Sequence, residues 1–285
     1  METWNQRAKL AVAVLFGFAT LIASAQTRKD MKFNVGPGAS LTITDDFGPV
    51  TVHTAAGSQI LATATLHPDQ MEIDQTHSGS RVELFTHALQ QRPAGGGARV
   101  EFDVTVPPDC AVTIHSSSGP ISIEKLRGDV NADGENANID VRDVGNGHVH
   151  LRTLRGTVTL ANVTNGHVEI TSVSGPVTMS NVGGPNVEVN TTNGKISYTG
   201  MFSNNGDYAF TTHSGDIEVF LPENASIDIS ARSVNGKVEQ DFPFQPKQHN
   251  PFPVTTGRAF AGTSNSGSSG VQLRSFSGTI RVKKQ

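Results

Sequence analysis

Cysteine is almost missing from this sequence. Cys110 stands alone, so no disulfide can form within the chain, and burial and hydrogen bonding must hold the fold. The strong helix formers Leu, Lys and Glu are sparse. No stretch carries the i, i+3, i+4, i+7 apolar stripe of a long amphipathic helix, which excludes a helical bundle. Apolar runs of membrane-spanning length are also missing. "LAVAVLFGFATLI" has thirteen residues, too few for a comfortable span. There is no basic excess: the formal net charge is −4, which disfavours nucleic acid as a partner. Finally, G-x-S-x-G, H-E-x-x-H, the P-loop and C-x-x-C do not occur, so the common signatures of hydrolases, zinc proteases, nucleotide binders and redox enzymes are lacking.

The first 25 residues have the make-up of a secretory leader. Arg7 and Lys9 precede the apolar run, and "ASA" at Ala23–Ala25 suits a signal peptidase. Cleavage after Ala25 leaves 260 residues with 20 basic and 25 acidic side chains, net −5, because only Arg7, Lys9 and Glu2 leave with the leader. The expected location is secreted or periplasmic, in the cell envelope. The cleaved chain is not expected to be an integral membrane protein. Retention of the leader as an anchor is the alternative. No cysteine follows the apolar run, so lipid anchoring there is not supported.

What is abundant is a short unit: Gly, one variable residue, then apolar–polar–apolar. It reads "GPISI" at Gly119, "GTVTL" at Gly156, "GPVTM" at Gly175, "GKISY" at Gly194 and "GDIEV" at Gly215. A second series interleaves, with "GDVNA" at Gly128, "GHVHL" at Gly147 and "GHVEI" at Gly166. The first apolar residues of one series are Ile121, Ile139, Val158, Val177, Ile196, Ile217 and Val238, mostly 19 residues apart and lengthening to 21. The other series is Val130, Val149, Val168 and Val187, at steps of 19. Each repeat therefore holds two short strands and two tight corners. Such a strand cannot bury its apolar face alone, but stacked on its equivalent one repeat away it gains a full ladder of backbone bonds. The expected fold is all-β: a β-solenoid, β-helix-like, with turns of about 19 residues. A β-sandwich is the alternative, since its strands also recur every 8–12 residues. Glycine before each strand is expected to supply positive φ at the corner.

The organisation follows. Residues 26–115 read as an N-terminal β region or cap, with "SRVELFTHAL" and "ARVEFDVTVPP" as longer strands. Residues 116–240 read as the regular solenoid. Residues 241–270, rich first in Pro and Phe and then in Gly and Ser, read as a loop leaving the coil, with "AGTSNSGSSG" as a mobile tip. Residues 271–285 return to the strand pattern. Ile280 lies two 21-residue steps beyond Val238.

The stretch "VEFDVTVPPDCAVTIHSSSGPISIEKLRGDV", the central "SG" and "NG" ladder, "LPENASIDISARSVNGKVEQDFP" and the closing "SGTIRV" resemble the bacterial putative-adhesin family. The resemblance covers roughly residues 40–285. It implies an exported protein with a β-helix-like fold, and it brings no catalytic residue with it.

Several constellations are candidates for chemistry. "DVNADGENANID", Asp129–Asp140, nearly spells a calcium loop: Asp129, Asn131 and Asp133 at positions 1, 3 and 5, Gly134 at 6 and an acid at 12. The repeat register competes for it, since Val130 and Ile139 belong to the two strand series and "ADGEN" becomes the corner between them. Stacking at the 19-residue step makes a second constellation. It places Asp129, His148 and His167 in one column, and Asn131, His150, Glu169 and Glu188 in another two residues along. Asp129, His148, His150, His167 and Glu169 are candidate zinc, copper or nickel ligands; the alternative is a polar ladder on a solvated face. Asp129, Glu169 and Glu188 form the one carboxylate cluster that a polysaccharide-acting enzyme could use. Arg127 and Arg155, 28 residues apart, fall on different sides of the coil. Cys110 reads as a packed thiol. Phe242, Phe244 and Phe252 read as an end plug or a contact surface. No cofactor is implied. The expected function is a non-enzymatic, adhesin-like module that binds an envelope polymer or protein through a long polar surface. A polysaccharide-acting enzyme and a structural or signalling-accessory periplasmic module are the alternatives.

Overall fold

The computed structural model describes residues 27–67, 71–89, 99–246 and 257–285. The leader, the glycine-rich segment after Gln90 and Phe252 lie outside the described residues.

Every regular element among them is a strand. The N-terminal part comprises β1 (Thr27–Asn34), β2 (Ser40–Phe47), β3 (Val50–Thr54), β4 (Gln59–His67), β5 (Met71–Ser78), β6 (Arg81–Ala88) and β7 (Arg99–Val106). The central part runs β8 (Ala111–Ser118), β9 (Ile121–Glu124), β10 (Val130–Asn136), β11 (Ile139–Gly145), β12 (His148–Arg155), β13 (Val158–Thr164), β14 (His167–Ser174), β15 (Val177–Val182), β16 (Asn186–Thr191), β17 (Ile196–Gly200), β18 (Asp207–Thr212) and β19 (Ile217–Leu221). The C-terminal part holds β20 (Ile227–Ser233), β21 (Val238–Gln240), β22 (Gln245–Pro246), β23 (Ala259–Ser264), β24 (Ser269–Ser275) and β25 (Ile280–Lys284).

The strands form two sheets, and in the central part the even-numbered strands make one and the odd-numbered strands the other. Each β–corner–β unit is one coil, stacked in parallel on the next. Val149 pairs with Val130 on one side and Val168 on the other, and Val168 pairs with Val187. In the second sheet Ile121, Ile139, Val158, Val177, Ile196 and Ile217 stack in one column. The chain is a β-solenoid. In-register parallel stacking of equivalent residues sets it apart from a sandwich of hairpins.

Alternation does the sorting. Along β14, Val168 and Ile170 point inward and are buried, while Glu169 points out. The core between the sheets is therefore a set of aliphatic columns. Each fully buried Val, Leu or Ile contributes about 1.5–3 kcal/mol relative to exposure. Where the step lengthens to 21, aromatic residues enter: Tyr198 and Tyr208 are both buried. Their hydroxyls donate to the carbonyls of Val182 and Gly184, so the longer corner is closed by polar atoms from inside.

Both ends depart from simple winding. Near the N-terminus, the β2–β3 coil lies between the β8–β9 coil and a coil made of β6 and β7. Antiparallel β5 covers β6, and β4 with β1 covers β7. Thus the N-terminal region is both coil and cap. At the other end, β24 pairs in parallel with β18 and with β20. Likewise β25 pairs with β19 and with β21. Ile280 therefore sits between Ile217 and Val238 rather than two steps beyond Val238. A residue interval divisible by the period places a residue on the correct column, but not on a particular rung.

"AGTSNSGSSG" is also more ordered than a free tip. Ala261–Ser264 belongs to β23, antiparallel to β20, and Ser269–Gly270 begins β24. The turn between them is held because Ser264 Oγ and Asn265 Nδ2 both donate to the Ala225 carbonyl, at 2.9 and 2.8 Å.

Candidate functional site

One inward-facing position at the corner repeats through the whole coil. In register order it is Asp45, Ser116, Gly134, Thr153, Ser172, Thr191, Thr212, Ser275 and Ser233. Three residues after each lies a glycine, except that Ala137 follows Gly134. The reason is a relay of hydrogen bonds. The Gly215 amide donates to Thr212 Oγ1 at 3.0 Å, and Ser275 Oγ donates to the Gly215 carbonyl at 3.2 Å. The Gly278 amide donates to Ser275 Oγ at 2.8 Å, and Ser233 Oγ donates to the Gly278 carbonyl at 2.7 Å. Thr212, Ser275 and Ser233 thus each satisfy an amide of their own coil and a carbonyl of the adjoining one, Thr153 reaches only the Ala137 carbonyl, and Ser172 Oγ has no partner. The glycines are required chiefly by close approach: the carbonyl of one lies where a Cβ of its neighbour would go, 1.9 Å for Gly215 over Gly194. Positive φ, expected at every such corner, holds at Gly119, Gly156 and Gly175 but not at Gly194 or Gly215.

Towards the N-terminal end the residue types in the column change as well. Gly134 stands where a hydroxyl residue belongs, and Ala137 where glycine belongs. A Cβ on Gly134 would lie 2.5 Å from that of Ala137, so the two have exchanged bulk. Two coils away the column carries a carboxylate, Asp45, 1 % exposed. Thr86 Oγ1 donates to Asp45 Oδ1 at 2.7 Å. Burial pushes the Asp45 carboxyl up to about 7; the Thr86 hydroxyl and Phe47 amide act the other way, and neighbouring Asp46 adds to the rise. Around it opens a cleft of about 320 Å³ lined by Asp45, Asp46, His115, Ser116, Asp133, Glu135 and Arg152, among others. His115 Nδ1 lies 3.3 Å from Asp133 Oδ2, and Ser117 Oγ donates to Asp46 Oδ1 at 3.2 Å.

The calcium-like stretch is divided by the fold. Val130–Asn136 is strand, so the corner is Ala137–Asn138 rather than "ADGEN". Its carboxylates go to separate places. Asp129 Oδ1 accepts the His148 amide at 2.8 Å, Asp133 faces His115, and Asp140 takes both Nε and Nη2 of Arg142 at 2.6 Å.

The histidine column forms in the expected register. His148 pairs with His167, their rings 5.6 Å apart, and His150 pairs with Glu169, which pairs with Glu188. The side chains stand parallel rather than convergent: His150 Nε2 is 4.0 Å from Glu169 Oε1, and Asp129 is engaged by backbone. Among the described residues no group of three or more His, Cys, Asp or Glu is arranged to hold a metal ion. Glu188 accepts from Asn190 Nδ2 at 2.7 Å.

Phe242 is 4 % exposed and packs on Phe244, which packs on Phe260, with ring centroids 5.0 Å apart in both pairs. These two of the three candidate phenylalanines plug the end of the coil. Cys110 is buried, and burial pushes its thiol up to about 12, so it packs as an apolar side chain. Arg127 and Arg155 sit apart, Arg127 bound to Asp109.

The outward faces carry the remaining polar side chains in columns. Ser122, Asp140, Thr159, Thr178 and Ser197 form one on the odd-numbered sheet. Further along the same strands Asn162 Nδ2 donates to Asp143 Oδ1 at 2.8 Å and Asn181 Nδ2 to Asn162 Oδ1 at 3.0 Å. All three have positive φ, the left-handed conformation that Asn and Asp tolerate best after glycine.

The columns are legible in the sequence, and the cleft is not. The signal for it was present: a Ser/Thr-x-x-Gly spacing in every coil, with "DDFG" and "GENA" as its two exceptions.

Comparison with known proteins agrees with the architecture. A putative adhesin from Bacteroides fragilis NCTC 9343 is similar in structure, with a TM-score of 0.50, 10 % identity and coverage of 92 % of this chain and 99 % of that one. A putative cell adhesion protein from Clostridium sporogenes ATCC 15579 aligns at 14 % identity with a TM-score of 0.28, over 91 % of this chain and 100 % of that one. No curated protein matches the sequence. Residues 31–283 match the family described as Toastrack DUF4097, and the chain belongs to that family.

Proposed function

We propose that this protein is an exported, non-enzymatic module of the cell envelope that binds an extended polymer or a protein partner through its polar sheet faces. The observation that carries the reading is the outward column Ser122–Asp140–Thr159–Thr178–Ser197, one hydroxyl or carboxylate per coil. Coils repeat at about 4.8 Å. A rigid array of weak hydrogen-bonding groups at fixed pitch suits multivalent binding, because the first contact raises the effective concentration for the next. The leader-like first 25 residues support export. The description of the Bacteroides fragilis structure as a putative adhesin supports the same class of role.

The test is co-sedimentation of the leaderless chain with insoluble envelope fractions, beside a Thr159→Arg/Thr178→Arg variant. Saturable retention by wild type and its loss in the variant is the expected result. Retention by no fraction, or release of reducing sugar from a glycan panel, would overturn the reading. Localisation of the full chain in cell fractions tests export separately.

A further inference from the structure

Unpartnered buried polar atoms occur away from the cleft, Ser172 Oγ and Asn131 Oδ1 among them, but three gather at this one cleft. Asp45 Oδ2, Ser116 Oγ and Asp133 Oδ1 are buried and have no hydrogen-bond partner among the described residues. A buried carboxylate oxygen without a donor is costly. All three residues line the same cleft. The cleft thus presents unsatisfied acceptors, not merely acidic residues.

Its chemistry narrows the occupant. Asp45, Asp46, Asp133 and Glu135 face one guanidinium, Arg152, and His115 is already turned to Asp133. Four carboxyl groups against one fixed cation disfavour an anion. A coordinated metal is not favoured, because no group of three ligands converges among the described residues. What fits is a compact cation with several N–H donors. An ammonium group has three around one charge. We propose that this cleft binds a protonated primary amine, with Asp45 and Asp133 as its charged acceptors and the Ser116 hydroxyl as its neutral one. At about 320 Å³ the space lies near the lower end for ligand pockets, suited to one ring or a short chain. The amine can be carried by an amino sugar or by an alkyl chain such as a lysine side chain. The site is separate from the sheet face discussed above, so either proposal can fail alone.

Geometry and burial together predict pH dependence. Asp46 on β2, His115 on β8, Asp133 and Glu135 on β10 and Arg152 on β12 surround Asp45. On β6, His87 is turned to Glu72 and Asp74. With Asp45 held up to about 7 by burial, its acceptor charge is completed between pH 6 and 8, and amine binding tightens over that interval.

The test is calorimetric titration of the leaderless chain with glucosamine, with cadaverine and with N-acetylglucosamine, at pH 6 and pH 8. Binding of glucosamine alone assigns the amine to a sugar, and binding of cadaverine alone assigns it to an alkyl chain; either supports the site. Asp45→Asn is expected to weaken binding about tenfold or more, as expected for a charge-assisted hydrogen bond. Asp133→Asn, on the more exposed rim, is the second variant, and its melting curve shows whether the fold is kept. Binding of neither amine, equal binding of N-acetylglucosamine, or binding indifferent to both variants would overturn the proposal.

Discussion

The carbonyl oxygen of Gly175 lies 2.1 Å from the point where a Cβ on Gly194 would sit. The same carbonyl stacking recurs at Gly215 and Gly278, so the corner admits no side chain without prising two coils apart. Gly194→Ala is expected to cost about 3 kcal/mol, the upper range for overpacking. Gly145→Ala, whose Cβ would meet nothing nearer than Thr164 Oγ1 at 3.8 Å, is expected to be close to neutral. Denaturant midpoints of the two variants make the comparison. Equal midpoints would show that coil contact is not what requires glycine.

The hydroxyl relay predicts a cost out of proportion to the atoms removed. Ser275→Ala leaves the Gly278 amide and the Gly215 carbonyl short of a partner at once. About 2 kcal/mol is expected, with Ser275→Thr retaining most of the stability. Thermal unfolding measures both.

Asp45 sets a pH dependence of stability with a definite sign. Its carboxyl is raised from an ordinary 3.8 to about 7 in the folded chain. Folding is therefore favoured by this group below about pH 4, and that advantage is lost progressively as pH rises through 7. The full difference is on the order of 4 kcal/mol. Asp45→Asn is expected to remove the decline, so that variant and wild type differ more at pH 8 than at pH 5. A melting series from pH 5 to 8 reads this directly.

The late pair β24–β25 is locked by charge as well as by backbone. Arg281 reaches Asp216 at 2.8 Å, Glu218 at 3.4 Å and Glu239 at 3.3 Å, spanning both neighbouring coils. The Lys195 ammonium, 2.7 Å away, holds the Glu218 carboxyl below its ordinary range, helped by Lys283 and Arg281. A lowered carboxyl contributes stability above its unfolded value, lost as pH falls through the folded one. Arg281→Ala is expected to cost about 1 kcal/mol at pH 7, typical of a partly exposed pair, and nothing once the carboxylates are protonated. Hydrogen exchange in β25 at pH 7 and in acid is the measurement.

Val149, Val168 and Val187 announce the stack because a narrow coil needs the same bulk at the same place in every turn. His148 and His167 were brought together by that register. Register alone does not make ligands converge, since side chains on adjacent strands run parallel. The place of Ile280 was illegible for a different reason: periodicity assigns a column and is silent on which rung a returning strand fills. Asp45 was hidden in "TDDFGPV" because its meaning depends on being the one acid in a file of hydroxyls, and that file exists only after folding.

β20 and β21 come earlier in the chain than the pair that separates them from β18 and β19, so sequence order and stacking order part company here. A chain stopped before residue 269 would bring two rows of unpaired amides and carbonyls face to face across a missing layer. Completion of this molecule is thus a keystone event rather than the extension of a spiral.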